Sequence, residues 1–171
     1  MSNANESTQA KTTLAKLTEL NAAVLDVTGD VTEAEWQLNS VSENWPLGLL
    51  LSHIGNGYNN VAGWIQKVLD GQPLTVTADE IDEANHEAAE AYTPQSGPEL
   101  LALLKTKMDN LTKLVEGLSD AQMAQAAPMT LIGGREVTPA FLVERVLTHH
   151  TRGHLESFRL TLASVRDEIT A

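Results

Sequence analysis

Four stretches of this chain place apolar residues at steps of three and four, the spacing that puts one stripe on a helix of 3.6 residues per turn. In the first, Leu14, Leu17, Leu20, Val24 and Leu25 lead to Gly29, with Lys11, Lys16 and Glu19 off the stripe. In the second, Leu47, Leu50, Leu51, Ile54, Tyr58, Val61, Ile65 and Val68 lie between Pro46 and Gly71. Asn44 is its expected cap, Pro46 occupies the first turn, and Gly71 supplies a left-handed stop. The third carries Leu100, Leu101, Leu104, Met108, Leu111, Leu114 and Val115, with Ser96 as cap, Pro98 near the start and Gly117 at the end. The fourth opens with Thr138 as N-cap and Pro139 behind it and runs to about Ile169. Its stripe of Val143, Val146 and Leu147 continues onto His150, Gly153, His154, Ser157, Phe158 and Thr161.

The intervening segments predict smaller pieces. Met1 to Ser7 is polar and without period, so it reads as a flexible lead-in, and 8–171 reads as a single domain. Val31 to Glu35 is a short helical turn, and Pro73 to Ala78 is extended. Asp79 is expected to cap an acidic helix from Glu80 to about Ala91, whose apolar side is little more than Ile81, Ala84, Ala88 and Ala91. Such a small-residue face suits a lid or an edge. Thr93-Pro-Gln-Ser-Gly-Pro is the clearest break, Ser119 opens another short turn, and Gly133-Gly134 between short apolar runs signals a hairpin. The fold class is therefore all-α, a four-helix bundle with short extra helices and a small hairpin-like segment before the last helix. Gly48, Gly55, Gly57 and Gly63 each weaken the second helix by about 1 kcal/mol relative to Ala. Either a backbone packs closely there or room is left for a ligand.

Composition narrows the function. At 171 residues, with 42% hydrophobic, 20% charged and 4% aromatic, the chain fits one aliphatic helical domain. A net charge of −12 without a basic patch argues against nucleic acid. No apolar run of membrane-spanning length and no signal segment is evident, so a cytoplasmic protein is expected. With no cysteine, disulfides, thiolate ligands, iron–sulfur clusters and a Cys nucleophile are excluded. Any metal must be held by His, Asp or Glu.

Three of the five histidines fall in Leu147-Thr-His-His-Thr-Arg-Gly-His154. His150 and His154 are one helical turn apart and stack on one face, whereas His149 is turned by about 100° onto the flank. An open catalytic zinc site usually has three protein ligands. His53 is the best candidate for the third, because Asn56, Gly57, Asn60 and Trp64 follow it along neighbouring stripes and bring polar and small residues into a buried face. His86 is the rival. Glu83-Ala-Asn-His86 spells one copy of a di-iron motif that needs two, and there is no second. Asn56, Asn60, Asn85 and His149 are candidate pocket residues, while Trp45 and Trp64 read as core or interface anchors. Ser52 lies in no Gly-x-Ser-x-Gly elbow, and no carboxylate stands at motif spacing to act as a general base, so no catalytic residue is assigned.

The Trp/Pro-initiated helix with Leu51-Ser-His53 and the late Leu147-Thr-His-His150-Thr-Arg-Gly-His154-Leu helix together resemble the DinB-like superfamily of metal-dependent four-helix bundles, over nearly the whole chain. The resemblance implies metal ligation by one His on the second long helix and a His-x-x-x-His pair on the last, which map onto His53, His150 and His154. Family members often read His-Arg-Gly-Gln at the second histidine of the pair. Here Arg152-Gly153 precede His154, leaving His149 or His150 as the first member; only His150 has the spacing that aligns both rings. The resemblance also implies a homodimer and an activity among hydrolases and thiol-dependent S-transferases or isomerases. Three neutral imidazoles leave a divalent ion, Zn or Ni first and Fe next, its full charge and an open position. It could then activate a water or a low-molecular-weight thiol against a small-molecule substrate. The competing expectation is a non-catalytic binding or stress-response dimer, with no metal or with a structural one closed by His86 or Glu83.

Overall fold

The computed structural model describes residues 8–169; the expected flexible lead-in, Met1 to Ser7, lies outside the described residues. Four long helical elements form the bundle: α1 (Gln9–Thr28), α2 (Leu47–Leu69), α4 (Gly97–Glu116) and α7 (Thr148–Ile169). Around the bundle, α1 touches α4, α4 touches α2, α2 touches α7, and α7 closes on α1. Leu17, Leu50, Ile54, Leu111 and Phe158 are among the fully buried side chains between them. The smaller elements are a 3-10 turn (Glu35–Gln37), α3 (Ala78–Ala91), α5 (Asp120–Met123) and an antiparallel pair, β1 (Ala127–Met129) and β2 (Arg135–Val137). Gly133 and Gly134, with φ of 73° and 77°, turn the chain between the strands.

Two helix starts differ from the sequence expectation. Asn44 does not cap α2: it adopts φ 57° inside a tight loop where Ser40 N donates to Trp45 O at 2.8 Å, and Pro46 is the residue before the helix. Asparagine tolerates this left-handed conformation better than most residues. Nor does Asp79 cap α3. Thr77 does, in a reciprocal box: its hydroxyl accepts from Glu80 N at 3.2 Å while Glu80 Oε2 accepts from Thr77 N at 2.8 Å. Two orphan donors are satisfied instead of one.

The last helix begins as expected at Pro139 after Thr138, whose hydroxyl accepts from Phe141 N. It does not run as one regular α-helix. α6 (Pro139–Phe141) passes into a π-helical segment, Leu142–Leu147, before α7. The Thr148 hydroxyl donates five residues back to Val143 O at 3.1 Å. Within the widened turn Glu144 faces α1, accepting from Gln9 at 2.8 Å and Thr13 at 2.6 Å and pairing with Lys16. The extra residue per turn alters the stripe: Leu142, Val143, Leu147, Thr151, Leu155 and Phe158 are buried, and Gly153 is exposed.

Arg166 near the end of α7 ties that helix to the 3-10 turn, with Nε donating to Glu35 Oε1 at 2.7 Å. This bond, against a smaller opposing effect of burial, lowers the Glu35 carboxyl from its ordinary 4.5 to about 2. A depressed carboxyl adds stability that is present above the unfolded value and lost as pH falls through the folded one. Glu35→Gln is therefore expected to cost about 1 kcal/mol at pH 7, discounted because Arg166 is partly in solvent. The difference from wild type should vanish by about pH 2, where Glu35 itself protonates. Urea unfolding at both pH values measures it; an equal cost at both would remove the ion pair as its source.

Candidate metal centre

His53 stands in the first half of α2, and His150 and His154 stand in the first two turns of α7, the helix packed beside it. Their rings meet across that interface, with each pair of centroids 4.7–4.8 Å apart. His53 Nε2 lies 3.0 Å from His150 Nε2 and 3.1 Å from His154 Nε2, and one nitrogen of each ring falls within 4.8 Å of the other two. Ligand nitrogens around a tetrahedral zinc at 2.0–2.1 Å stand roughly 3.3 Å apart, so the cluster fits one ion with little adjustment. Among the described residues no other His, Cys, Asp or Glu joins the group.

The surroundings favour nitrogen lone pairs on the shared side. His154 Nδ1 donates to Glu43 Oε1 at 2.8 Å, which fixes the ring with its Nε2 toward the other two histidines. Glu43 is held in turn by Ser157, whose hydroxyl donates to Oε2 at 2.6 Å. Burial alone would raise the Glu43 carboxyl; the bonds from Ser157 and His154 outweigh it and hold the group below its usual range. Burial, reinforced by the neighbouring His154, lowers His53 to about 4, and burial with the charges of its His neighbours lowers His150 to about 3. Both imidazoles are therefore neutral at pH 7, the form that binds a metal.

Glu43 was not singled out by the sequence, where it sits in an unpatterned Ser- and Asn-rich connection. The loop is fixed by tertiary bonds: Val41 N donates to Thr161 Oγ1 at 3.0 Å and Ser42 N to Ser157 Oγ at 3.3 Å. These two contacts lay the loop along α7 and place Glu43 behind His154. Glu43→Gln is expected to weaken zinc binding by about 10–100-fold in protein that still unfolds in one cooperative transition. Competition with a chromophoric chelator would show it, and unaltered affinity would remove Glu43 from the centre.

The histidines open onto a cavity of about 380 Å³, with Asn56, Asn60 and Asn85 in its wall and apolar sides from Trp45, Trp64 and Leu147. The two tryptophans thus pack against the core and also face the cavity. A second hollow of about 140 Å³ shares Trp45, His53, Asn56 and Asn85 with it and is also lined by Tyr92. α3 covers this side with Ile81 and Asn85 while burying none of its residues, as expected for a lid or an edge element. His149 is exposed on the flank of α7 and lies outside the cavity wall. His86 is also exposed, 3.2 Å from Glu90, and Glu83 points to solvent.

The close spacing on α2 is used by side chains. A Cβ on Gly57 would come within 2.8 Å of both Cε1 and Nδ1 of His150, and one on Gly48 within 2.2 Å of the Tyr92 hydroxyl. A Cβ on Gly55 would meet Lys107 Cδ at 3.1 Å, while Gly63 has nothing within 4 Å.

The sequence profile of the DinB superfamily matches residues 16–157. The chain belongs to the DinB superfamily. Solved structures agree with this fold. An uncharacterised protein from Escherichia coli UTI89 superposes with a TM-score of 0.71 at 13% identity, over 95% of this chain and 96% of that one. A Bacillus subtilis protein, YfiT, described as a probable metal-dependent hydrolase with an unusual four-helix bundle topology, gives 0.65 at 16% identity, over 95% and 93%. A mycothiol-dependent maleylpyruvate isomerase gives 0.70 at 13% identity, over 87% of this chain and 60% of that one, so this DinB chain spans less than two thirds of that enzyme. No curated protein matches the sequence. Among the described residues no helix is long and apolar enough to cross a membrane.

Proposed function

We propose that this DinB-superfamily protein is a divalent-metal-dependent enzyme in which His53, His150 and His154 hold one ion, zinc or nickel before iron, facing a small-molecule pocket. The observation that carries this reading is the convergence of three imidazole nitrogens on the wall of a 380 Å³ cavity, with no fourth protein ligand among the described residues. A structural site would be closed by a protein group, and the two candidates for that role, Glu83 and His86, are turned to solvent. An ion held there would supply a Lewis acid that lowers the pKa of a coordinated thiol or water.

The residues divide the remaining work. Glu43 keeps the proton of His154 on Nδ1 and so fixes the ring. Trp45, Trp64 and Leu147 exclude water and receive the apolar body of a substrate, and the asparagine amides orient its polar atoms. Thiol-dependent transfer or isomerisation is the preferred chemistry, because Glu43, the carboxylate in the cavity wall, is already bonded to His154 and Ser157. A thiol made acidic enough by an ion needs no separate protein base, whereas hydrolysis gains from a free acid to protonate the leaving group. Hydrolysis is the second reading, supported by the description of YfiT. A homodimer is part of the proposal.

Reconstituting the chelator-treated chain with zinc or nickel and then following thiol consumption with epoxide or haloarene electrophiles, alongside ester hydrolysis, tests it. Metal-dependent thiol consumption is the expected result. Ester cleavage without thiol would replace the transferase with a hydrolase, and failure to retain any metal would leave a non-catalytic bundle.

A further inference from the structure

Lys107, on α4, has no role in the centre described above, and its placement is costly. It is half-buried, its stem lies against Gly55 of α2, and among the described residues no carboxylate stands within ion-pair distance of its ammonium. Burial lowers its pKa, with no opposing charge to restore it. A partly desolvated cation without a counter-ion destabilises a fold unless it is hydrogen-bonded or neutralised from outside. Its partner is an amide: Nζ donates to Asn56 Oδ1 at 2.8 Å.

That bond decides which way Asn56 faces. An ammonium can only donate, so the atom it touches must be the amide oxygen, and the NH2 group points the other way. Asn56 is one turn beyond His53 on α2 and lines both hollows beside the histidines. Among the described residues its Nδ2 has no hydrogen-bond partner, and it is not sealed from solvent. The pocket therefore carries two unused donors, polarised from behind by a positive charge. The groove left by Gly55 is what lets Lys107 reach that position.

We infer that Asn56, oriented and polarised by Lys107, is an anion-recognition point, and that the molecule bound in this cavity carries a carboxylate directed at Asn56 Nδ2. The inference rests on the reading of the cavity as a small-molecule site. It is separable from the metal, because the Lys107–Asn56 pair is built entirely from protein groups. Lys107 acts here as a positioning residue and Asn56 makes the contact. The carboxylate belongs to the substrate or to a thiol co-substrate.

The test compares 3-phenylpropanoate with its uncharged amide, two ligands of one shape, by calorimetry on the metal-free and the zinc-loaded protein. Wild type is expected to prefer the carboxylate by about tenfold in both forms. Lys107→Met, which keeps the stem over Gly55, should abolish the preference, and Lys107→Arg should restore most of it. Asn56→Asp keeps the bond to Lys107 but turns the donor into an acceptor, and should reverse the preference. Persistence of the preference in Lys107→Met and Asn56→Asp, or its absence in wild type, would overturn the proposal. Preference confined to the zinc-loaded protein and indifferent to Lys107 would also overturn it, by assigning anion binding to the ion alone. If the chain retains no metal yet shows the Lys107-dependent preference, the metal centre falls and the anion site stands. Repeating the pair with 3-mercaptopropanoate and 2-mercaptoethanol on the zinc-loaded protein separates the two sources. A Lys107-dependent preference there assigns the carboxylate to the thiol, and its absence assigns it to the substrate.

Discussion

Replacing His53 or His150 by alanine is expected to reduce bound zinc from about one ion per chain to near zero in protein that still folds. The two nitrogens stand 3.0 Å apart but belong to residues 97 apart in sequence, so losing either leaves a two-nitrogen remnant that cannot hold an ion against a mild chelator. The effect should exceed the roughly 10–100-fold expected for a residue that only supports a ligand. Removing a half-buried ring should cost about 1 kcal/mol of stability, which leaves a cooperative unfolding transition to verify the fold. His149→Ala is the decisive control. It lies beside His150 in the chain yet is exposed, and it should keep the full metal content. Elemental analysis of the four proteins after one round of dialysis gives the answer. Retention in His53→Ala, or loss in His149→Ala, would mean that the ion is bound elsewhere.

Gly57→Ala should separate stability from binding. In the interior of an exposed helix this change stabilises by about 1 kcal/mol, and Gly57 lies well inside α2. Here the new methyl would sit 2.8 Å from two atoms of the His150 imidazole. Those atoms belong to a ring confined by His53 and His154, whose centroids are 4.8 and 4.7 Å away. The ring must tilt or change rotamer, which takes Nε2 out of the shared point. The helix gain and the cost of displacing the confined ring oppose each other, so metal-free Gly57→Ala is expected to melt close to the wild-type temperature, while its zinc affinity falls by about 10–100-fold, as for other losses of ligand orientation. Calorimetric melting with a chelator titration reads both. Unchanged affinity would show that the ring has room to yield and that Gly57 has no part in the centre.

The long helices were legible because burial on one face leaves a period in the sequence. Leu17, Leu50, Leu104 and Leu147 are found where their stripes placed them, and Gly133-Gly134 turns the hairpin as read. The thin apolar side of α3 gave away its position outside the core. The histidine face of α7 was visible from the four-residue step between His150 and His154, and Thr-x-x-Glu at Thr77 was a capping signal that the nearer Asp79 obscured.

What the sequence by itself determined is what depends on neighbours within a turn or two: four amphipathic helices, their stops, and which histidines share a helix face. Such features repeat at the helical period and so can be read without coordinates. The tertiary structure alone decided everything that depends on long-range approach. It brought His53 to His150 and His154 across the α2–α7 interface. It set Glu43 behind His154 through loop bonds to Ser157 and Thr161. It laid Lys107 over Gly55 onto Asn56, and it widened the turn before α7 as Glu144 met Thr13 and Lys16. None of these pairs has a characteristic spacing. Each is fixed by how helices far apart in sequence pack, because packing selects partners by shape and charge at the interface.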